Sequence, residues 1–162
     1  MTVALGVDTA SEAKKRGYAI ADCGRVVWCG KRVEAAPRLL MATVDVVAGE
    51  EPWQGGVLRG KRLITFCVNN GFQLRDAWTP SADGGTYGEP IFVILPVKAW
   101  KELAIPGCSQ MPGDQFCNNL REKYALGDVD DDVADAAGIA VAASMLPLAA
   151  LRAKYQPKGF RK

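Results

Sequence analysis

The sequence contains no histidine. This removes Ser-His and Cys-His nucleophilic schemes, a histidine general base and histidine-ligated zinc. Any catalysis must rest on carboxylates, lysines, cysteines or a metal held by oxygen ligands. Paired cysteine motifs are missing too. The five cysteines, at 23, 29, 67, 108 and 117, form no CxxC pair. An odd count with no secretory signal ahead of the first apolar run predicts reduced, mostly buried thiols in a cytosol-like compartment. No apolar run approaches the roughly 20 residues of a membrane span. An excess of one charge is also lacking. Lys+Arg number 20 against Asp+Glu 18, a net charge of +2, so bulk charge does not itself demand a nucleic-acid partner.

What is present fits one domain with a single sizeable core: 162 residues, 49% hydrophobic and 23% charged. The expected division is a domain over 1–150 and a basic tail over 151–162. Basic residues gather locally. Lys14 and Lys15 follow the first apolar run, Arg59, Lys61 and Arg62 form a second group, and Arg152, Lys154, Lys158, Arg161 and Lys162 a third. Local basic clusters on a near-neutral chain suggest contact with an anionic partner. A solvated surface and a frayed tail account for them equally well.

Residues 3–8 read as a buried strand, 17–21 as a second, and 25–29, extending towards Val33, as a third. Asp22-Cys23-Gly24 is the turn of a hairpin. Pro37 suits the first turn of a helix carrying Leu39, Leu40, Thr43 and Val44. Val46-Val47-Ala48-Gly49 reads as a fourth strand and the wholly apolar Ile91-Phe92-Val93-Ile94-Leu95 as a fifth, central in a covered sheet. Helices are expected over 57–70, 97–103, 114–124 and 130–146, with a loop over 79–90 and Pro147 closing the last helix. The order predicts an α/β domain, a mixed five-stranded sheet (three antiparallel strands, then two parallel) with helices on both faces.

Acidic residues recur where strands end. Asp8 closes the first strand, and Glu50 or Glu51 closes the fourth. Asp132 and Asp135 stand three apart at the head of the last helix, on one face with Ile139 and Ala142. The apolar part of that face must pack on the sheet, which aims the two acids towards the strand ends. Like charges facing a covered sheet are costly unless a cation neutralises them. Four carboxylates from three elements suit Mg²⁺ or Mn²⁺, which take hard oxygen ligands and serve phosphodiester hydrolysis without histidine. A nearby lysine can offset charge in the transition state. The plainer reading is that Asp8 is a turn residue and that Asp130-Asp131-Asp132 satisfies the positive end of a helix. Asp131 also pairs with Asp135, at i, i+4, nearly as well as Asp132 does at i, i+3.

Leu5-Gly6-Val7-Asp8-Thr9-Ala10-Ser11 followed by Gly17-Tyr18-Ala19-Ile20-Ala21 resembles the first two strands of RuvC-type Holliday junction resolvases. Ala48-Gly49-Glu50-Glu51-Pro52-Trp53 is similar to the fourth strand of that family. Asp132-Val133-Ala134-Asp135-Ala136 with Gly138-Ile139-Ala140-Val141-Ala142 looks like its closing helix. Val97 to Lys101 is similar to the Trp-Lys segment of phage-type members. The resemblance covers residues 3–145. It implies an RNase H-like fold and a Mg²⁺- or Mn²⁺-dependent homodimer in a bacterial or phage-infected cytoplasm. Its substrate would be a four-way DNA junction, cut on two opposed strands in recombination and repair. Carried over by position, Asp8, Glu50, Asp132 and Asp135 are the metal ligands, with Glu51 and Asp131 as alternates, and Lys101 matches a basic residue near the scissile phosphate.

The chain departs from the family pattern at three places. Thr9-Ala10 stands where Pro-Gly usually follows the first Asp. Gly49 replaces an apolar strand residue, which admits Glu51 in place of Glu50. A second lysine, expected near Gln110 to Pro112, has no counterpart. Under the resemblance the 57–70 helix is a candidate dimer interface, with Arg59, Lys61 and Arg62 facing DNA together with Lys14 and Lys15. Trp53 is a candidate for stacking on a base near the crossover. A flap- or fork-directed nuclease and a catalytically inactive branched-DNA-binding module are the alternatives.

Overall fold

The structure is a computed structural model and describes residues 2–8, 16–50 and 91–156. Its sheet is built from β1 (Val3–Asp8), β2 (Gly17–Asp22), β3 (Arg25–Gly30), β4 (Val46–Glu50) and β5 (Ile91–Leu95), in the order β3-β2-β1-β4-β5. The first three strands are antiparallel neighbours, and β4 and β5 join them in parallel. This is the mixed five-stranded sheet that the element order implies. The helices are α1 (Arg38–Met41), α2 (Val97–Ala104), α3 (Gly113–Lys123), α4 (Asp131–Ser144) and α5 (Leu148–Lys154), with a 3-10 turn at Val33–Ala35. The expected 57–70 helix and 79–90 loop lie outside the described residues.

The β2–β3 turn is a two-residue loop with Asp22 paired to Arg25. Cys23 and Gly24 both have positive φ, 50° and 82°. That geometry matches the twist of an antiparallel pair, and glycine in the second position removes most of its strain.

Alternating side chains along the strands feed two cores. Leu5, Val7, Ile20 and Val47 pack with Val33, Met41 and Val44 on one face. Ala4, Ala19, Ala21, Ala48 and Val93 lie on the other, beneath α4. From Val133 to Ser144 every residue of α4 except Asp135 is buried. Alanines and a glycine let this helix approach the sheet closely. A Cβ on Gly6 would sit 2.2 Å from the carbonyl oxygen of Ala136, and one on Gly17 would sit 2.2 Å from that of Asp132. On its far side α4 meets Trp100 of α2, whose ring would lie 2.6 Å from a Cβ on Gly138.

Five elements differ from expectation. β5, expected in the middle of the sheet from its apolar run, is the outer strand among the described residues, where Tyr155 backbone meets it. β3 ends at Gly30, and Val33 is buried in the 3-10 turn instead. α1 stops at Met41 because Asp45 is already committed to the sheet. Its N–H donates to the Val3 carbonyl at 2.8 Å and its carboxylate accepts from the Val3 N–H at 3.0 Å. Pro147 ends α4 but also opens α5, since proline fits a helix start where no N–H partner is needed. Residues 151–154, expected to begin a tail, complete α5, and the chain docks on the sheet there. Leu151 is fully buried, and the Ile94 N–H donates to the Tyr155 carbonyl at 3.0 Å. Of the four described cysteines, all free, only Cys117 is buried; Cys23, Cys29 and Cys108 are half-buried. No single helix among the described residues is long and apolar enough to cross a membrane.

Candidate active site

Parallel pairing of β1 with β4 sets their carboxyl ends side by side. Val7 is opposite Gly49, so Asp8 and Glu50 emerge together. On the other flank of β1, Asp8 is opposite Gly17. The missing side chain of Gly17 admits the backbone of Asp132, which brings the first turn of α4 over the end of β1. In open α/β sheets this carboxyl edge is where ligands bind.

The result is a shared electrostatic site. Burial raises Asp8, and the negative charges of Asp135, Asp132 and Glu50 raise it further, to about 8. A side-chain hydrogen bond with Asp132 acts in the same direction. Burial and Asp135 together raise Glu50 to about 7, against the opposing pull of Lys101. Asp135 is raised by burial, while a hydrogen bond from Cys117 and the charge of Lys101 work the other way. The structure therefore brings Asp8, Glu50, Asp132, Asp135 and Lys101 together.

Lys101 is placed by packing. Trp100 and Phe116 are fully buried and meet edge to face, with ring centroids 5.6 Å apart. The Lys101 ammonium lies 4.9 Å from the Phe116 ring and 5.7 Å from that of Trp100. Cation–π attraction holds the charge on the aromatic pair, beside Glu50 and Asp135.

The three consecutive aspartates part company. Asp130 caps α4, accepting from the Val133 N–H at 3.0 Å. Asp131 turns outwards to Arg121, with its side chain 63% exposed. Asp132 faces Asp8 and Lys31. The geometry thus sets Asp132, and not the alternate Asp131, against Asp8.

Two contributors were missed by sequence reasoning. Cys117 of α3 donates to the Asp135 carboxylate at 3.3 Å. Lys31 donates to Asp132 at 3.2 Å and pairs with Asp130 at 2.9 Å. Burial pulls the Lys31 ammonium down, but the hydrogen bonds to Asp130 and Asp132 outweigh it and hold it above the ordinary lysine range. Neither residue lies near the acids in the sequence, so only the folded contact reveals it. Glu51, Trp53, Lys14, Lys15, Arg59, Lys61 and Arg62 lie outside the described residues.

The donor set suits a hard divalent cation. Four carboxylates face two ammoniums, and Lys31 is shared with Asp130, which leaves negative charge unmatched in a partly buried site. Burial is the larger cause of the raised Asp8 and Glu50, and the neighbouring carboxylates add to it; a cation here would relieve the second contribution. Among the described residues, no three Asp, Glu or Cys groups stand at ligating spacing. Asp8 and Asp132 are bonded to each other, and Asp132 and Asp135 are also engaged by Lys31 and Cys117.

The sheet order and the helix that crosses it match an RNase H-like fold of the kind seen in RuvC. The structure of T. thermophilus RuvC in complex with Holliday junction substrate is similar to this chain with a TM-score of 0.57 and 14% identity, covering 97% of this chain and 99% of that one. A second Thermus thermophilus RuvC structure gives 0.55 and 14%, covering 96% and 99%. No protein-family model matches the sequence, and no curated protein does.

Proposed function

We propose that this chain is a divalent-metal-dependent endodeoxyribonuclease that resolves four-way DNA junctions by paired phosphodiester hydrolysis. The observation that carries the reading is the meeting of Asp8, Glu50, Asp132 and Asp135 at the carboxyl edge of a RuvC-like sheet. The substrate class follows the solved relative bound to a Holliday junction.

Asp8, Glu50, Asp132 and Asp135 would hold Mg²⁺ or Mn²⁺, which when bound supplies an activated water and stabilises the leaving 3′ oxygen. The chain's own residues prepare that chemistry. Partial burial of Asp8 and Glu50 lowers the local dielectric and strengthens every charge interaction at the edge. Lys101, held on its aromatic seat, sets a positive charge where a phosphate gains negative charge in the transition state. Cys117 fixes the rotamer of Asp135 by donating to one of its oxygens. A homodimer would present two such sites about a twofold axis, matching the two opposed strands of a junction.

The test is incubation of a labelled four-way junction with Mg²⁺ or Mn²⁺. Paired symmetric nicks that disappear in Asp8→Asn are expected. Absence of cleavage of any branched DNA by a pure, folded preparation overturns the reading. Relative rates on junction, flap and duplex separate a resolvase from a flap- or fork-directed nuclease. One observation favours a branched-DNA-binding module instead: the acids are engaged by one another, Lys31 and Cys117. Such a module would bind junctions with a steep salt dependence and release no product with any metal.

A further inference from the structure

Ammonium groups flank the four acids from two sides. Lys101 reaches Glu50 and Asp135 from α2. Lys31 follows the end of β3 and reaches Asp132 and Asp130 from the opposite flank. Its two anchors differ. Asp130 uses Oδ1 to cap α4 and offers Oδ2 to Lys31 at 2.9 Å, so it serves as a fixed post at the rim. Asp132 offers Oδ2 at 3.2 Å and also bonds to Asp8, within the group of acids.

The Lys31–Asp132 pair is held loosely. The two side chains are 35% and 38% exposed, so solvent screens the pair and little is lost when it opens. Lysine carries a compact charge on a flexible four-carbon stem and can change partners without backbone movement. A divalent cation at Asp132 would compete directly with the ammonium for the same carboxylate oxygen. Once displaced from Asp132, Lys31 would still be paired with Asp130, and the N–H it had given to Asp132 could turn to a nearby anion.

We propose that Lys31 is a substrate-contacting cation of this site: it rests on Asp132 in the metal-free protein and turns to a DNA phosphate when a divalent ion takes Asp132. This rests on the nuclease reading, and two consequences distinguish it from a simple tether at the end of β3. Removing the ammonium should tighten metal binding in the absence of DNA. It should also take away one phosphate contact when DNA is bound.

Full-length wild type, Lys31→Gln and Lys31→Arg would be compared in two assays. Calorimetric titration with Mn²⁺ alone reads the competition. Lys31→Gln is expected to bind Mn²⁺ about threefold more tightly, the scale of a lost exposed ion pair. Junction binding in Ca²⁺ across a salt series reads the phosphate contact. Lys31→Gln should lower the slope of log K against log salt by about 0.9, and Lys31→Arg should retain it. An unchanged Mn²⁺ affinity in Lys31→Gln overturns the proposal, as does an unchanged salt slope. A wild-type chain that binds no Mn²⁺ overturns the nuclease reading as well, which separates the two failures.

Discussion

Gly17 and Asp132 touch backbone to backbone: a Cβ on Gly17 would lie 2.2 Å from the Asp132 carbonyl oxygen and 2.3 Å from its carbon. Gly17 is also the residue opposite Asp8 in the β1–β2 ladder. One glycine therefore sets the distance between the first acid and the helix that carries two others. Gly17→Val is expected to push the first turn of α4 off the sheet. The overpacking should cost about 1–3 kcal/mol. Displacing Asp132 and Asp135 by about 1 Å should lower junction cleavage on the order of a hundredfold. Gly113→Ala, where nothing lies within 4 Å, is the control. Denaturant unfolding and a cleavage assay check both, and a Gly17→Val variant with wild-type stability and rate would refute the dependence.

Stability should depend on pH and metal together. Asp8 is raised from 3.8 to about 8 and Glu50 from 4.5 to about 7. The folded chain thus keeps protons that the unfolded chain has lost. Acids raised in this way leave stability untouched below their unfolded values, and subtract from it as pH climbs to the folded ones. In EDTA the melting temperature should fall between about pH 5 and pH 8. Saturating Mg²⁺ should raise it more at pH 8 than at pH 5, because the ion competes with the same protons. Equal Mg²⁺ shifts at both ends of a thermal-shift series would count against a metal at these acids.

The three adjacent aspartates give a graded series. Asp132→Asn should abolish cleavage with little loss of fold. Asp131→Asn, which only breaks an outward pair with Arg121, should stay within about 1 kcal/mol of wild-type stability and keep its rate. Asp130→Ala removes the cap on α4 and should cost about 1 kcal/mol. Unfolding curves and single-turnover rates separate the three roles. Loss of cleavage in Asp131→Asn alone would return the alternate ligand to the site.

Trp100 is the keystone of the α2–α4 contact, packed on Gly138 and edge-on to Phe116. Trp100→Ala should cost about 3–5 kcal/mol through the cavity it leaves. Lys101→Ala, on the half-buried side of the same turn, should lower the rate while sparing the fold. Calorimetric melting and kcat measured on the same preparations check the division, and a destabilised Lys101→Ala would argue for a structural role.

Much of the fold was legible because its signals are local. Apolar runs marked β1, β4 and β5, the Asp22-Cys23-Gly24 turn marked the β2–β3 hairpin, and the i, i+3 spacing put Asp132 and Asp135 on one helix. Which of Asp131 and Asp132 faces Asp8 was not legible, because the partner that turns Asp131 outwards, Arg121, lies on another helix. Lys31 and Cys117 act across the fold and leave no spacing signature. Gly6 and Gly17 were open to a closer reading, since a glycine inside or opening an apolar strand marks a close backbone approach. α1 read too long because its periodicity was visible while the claim of the sheet on Asp45 was not. Proline at 147 was read as a stop, although the same residue type also starts helices.

The bond from the Ile94 N–H to the Tyr155 carbonyl places backbone from beyond α5 against the outer strand of the sheet. An open strand flank is a template onto which a neighbouring molecule can zip, and a strap of the chain's own backbone blunts it. Shortening the protein before Leu148 would bare that flank together with the pocket that Leu151 fills. The first symptom of such a trim should be self-association and loss of solubility.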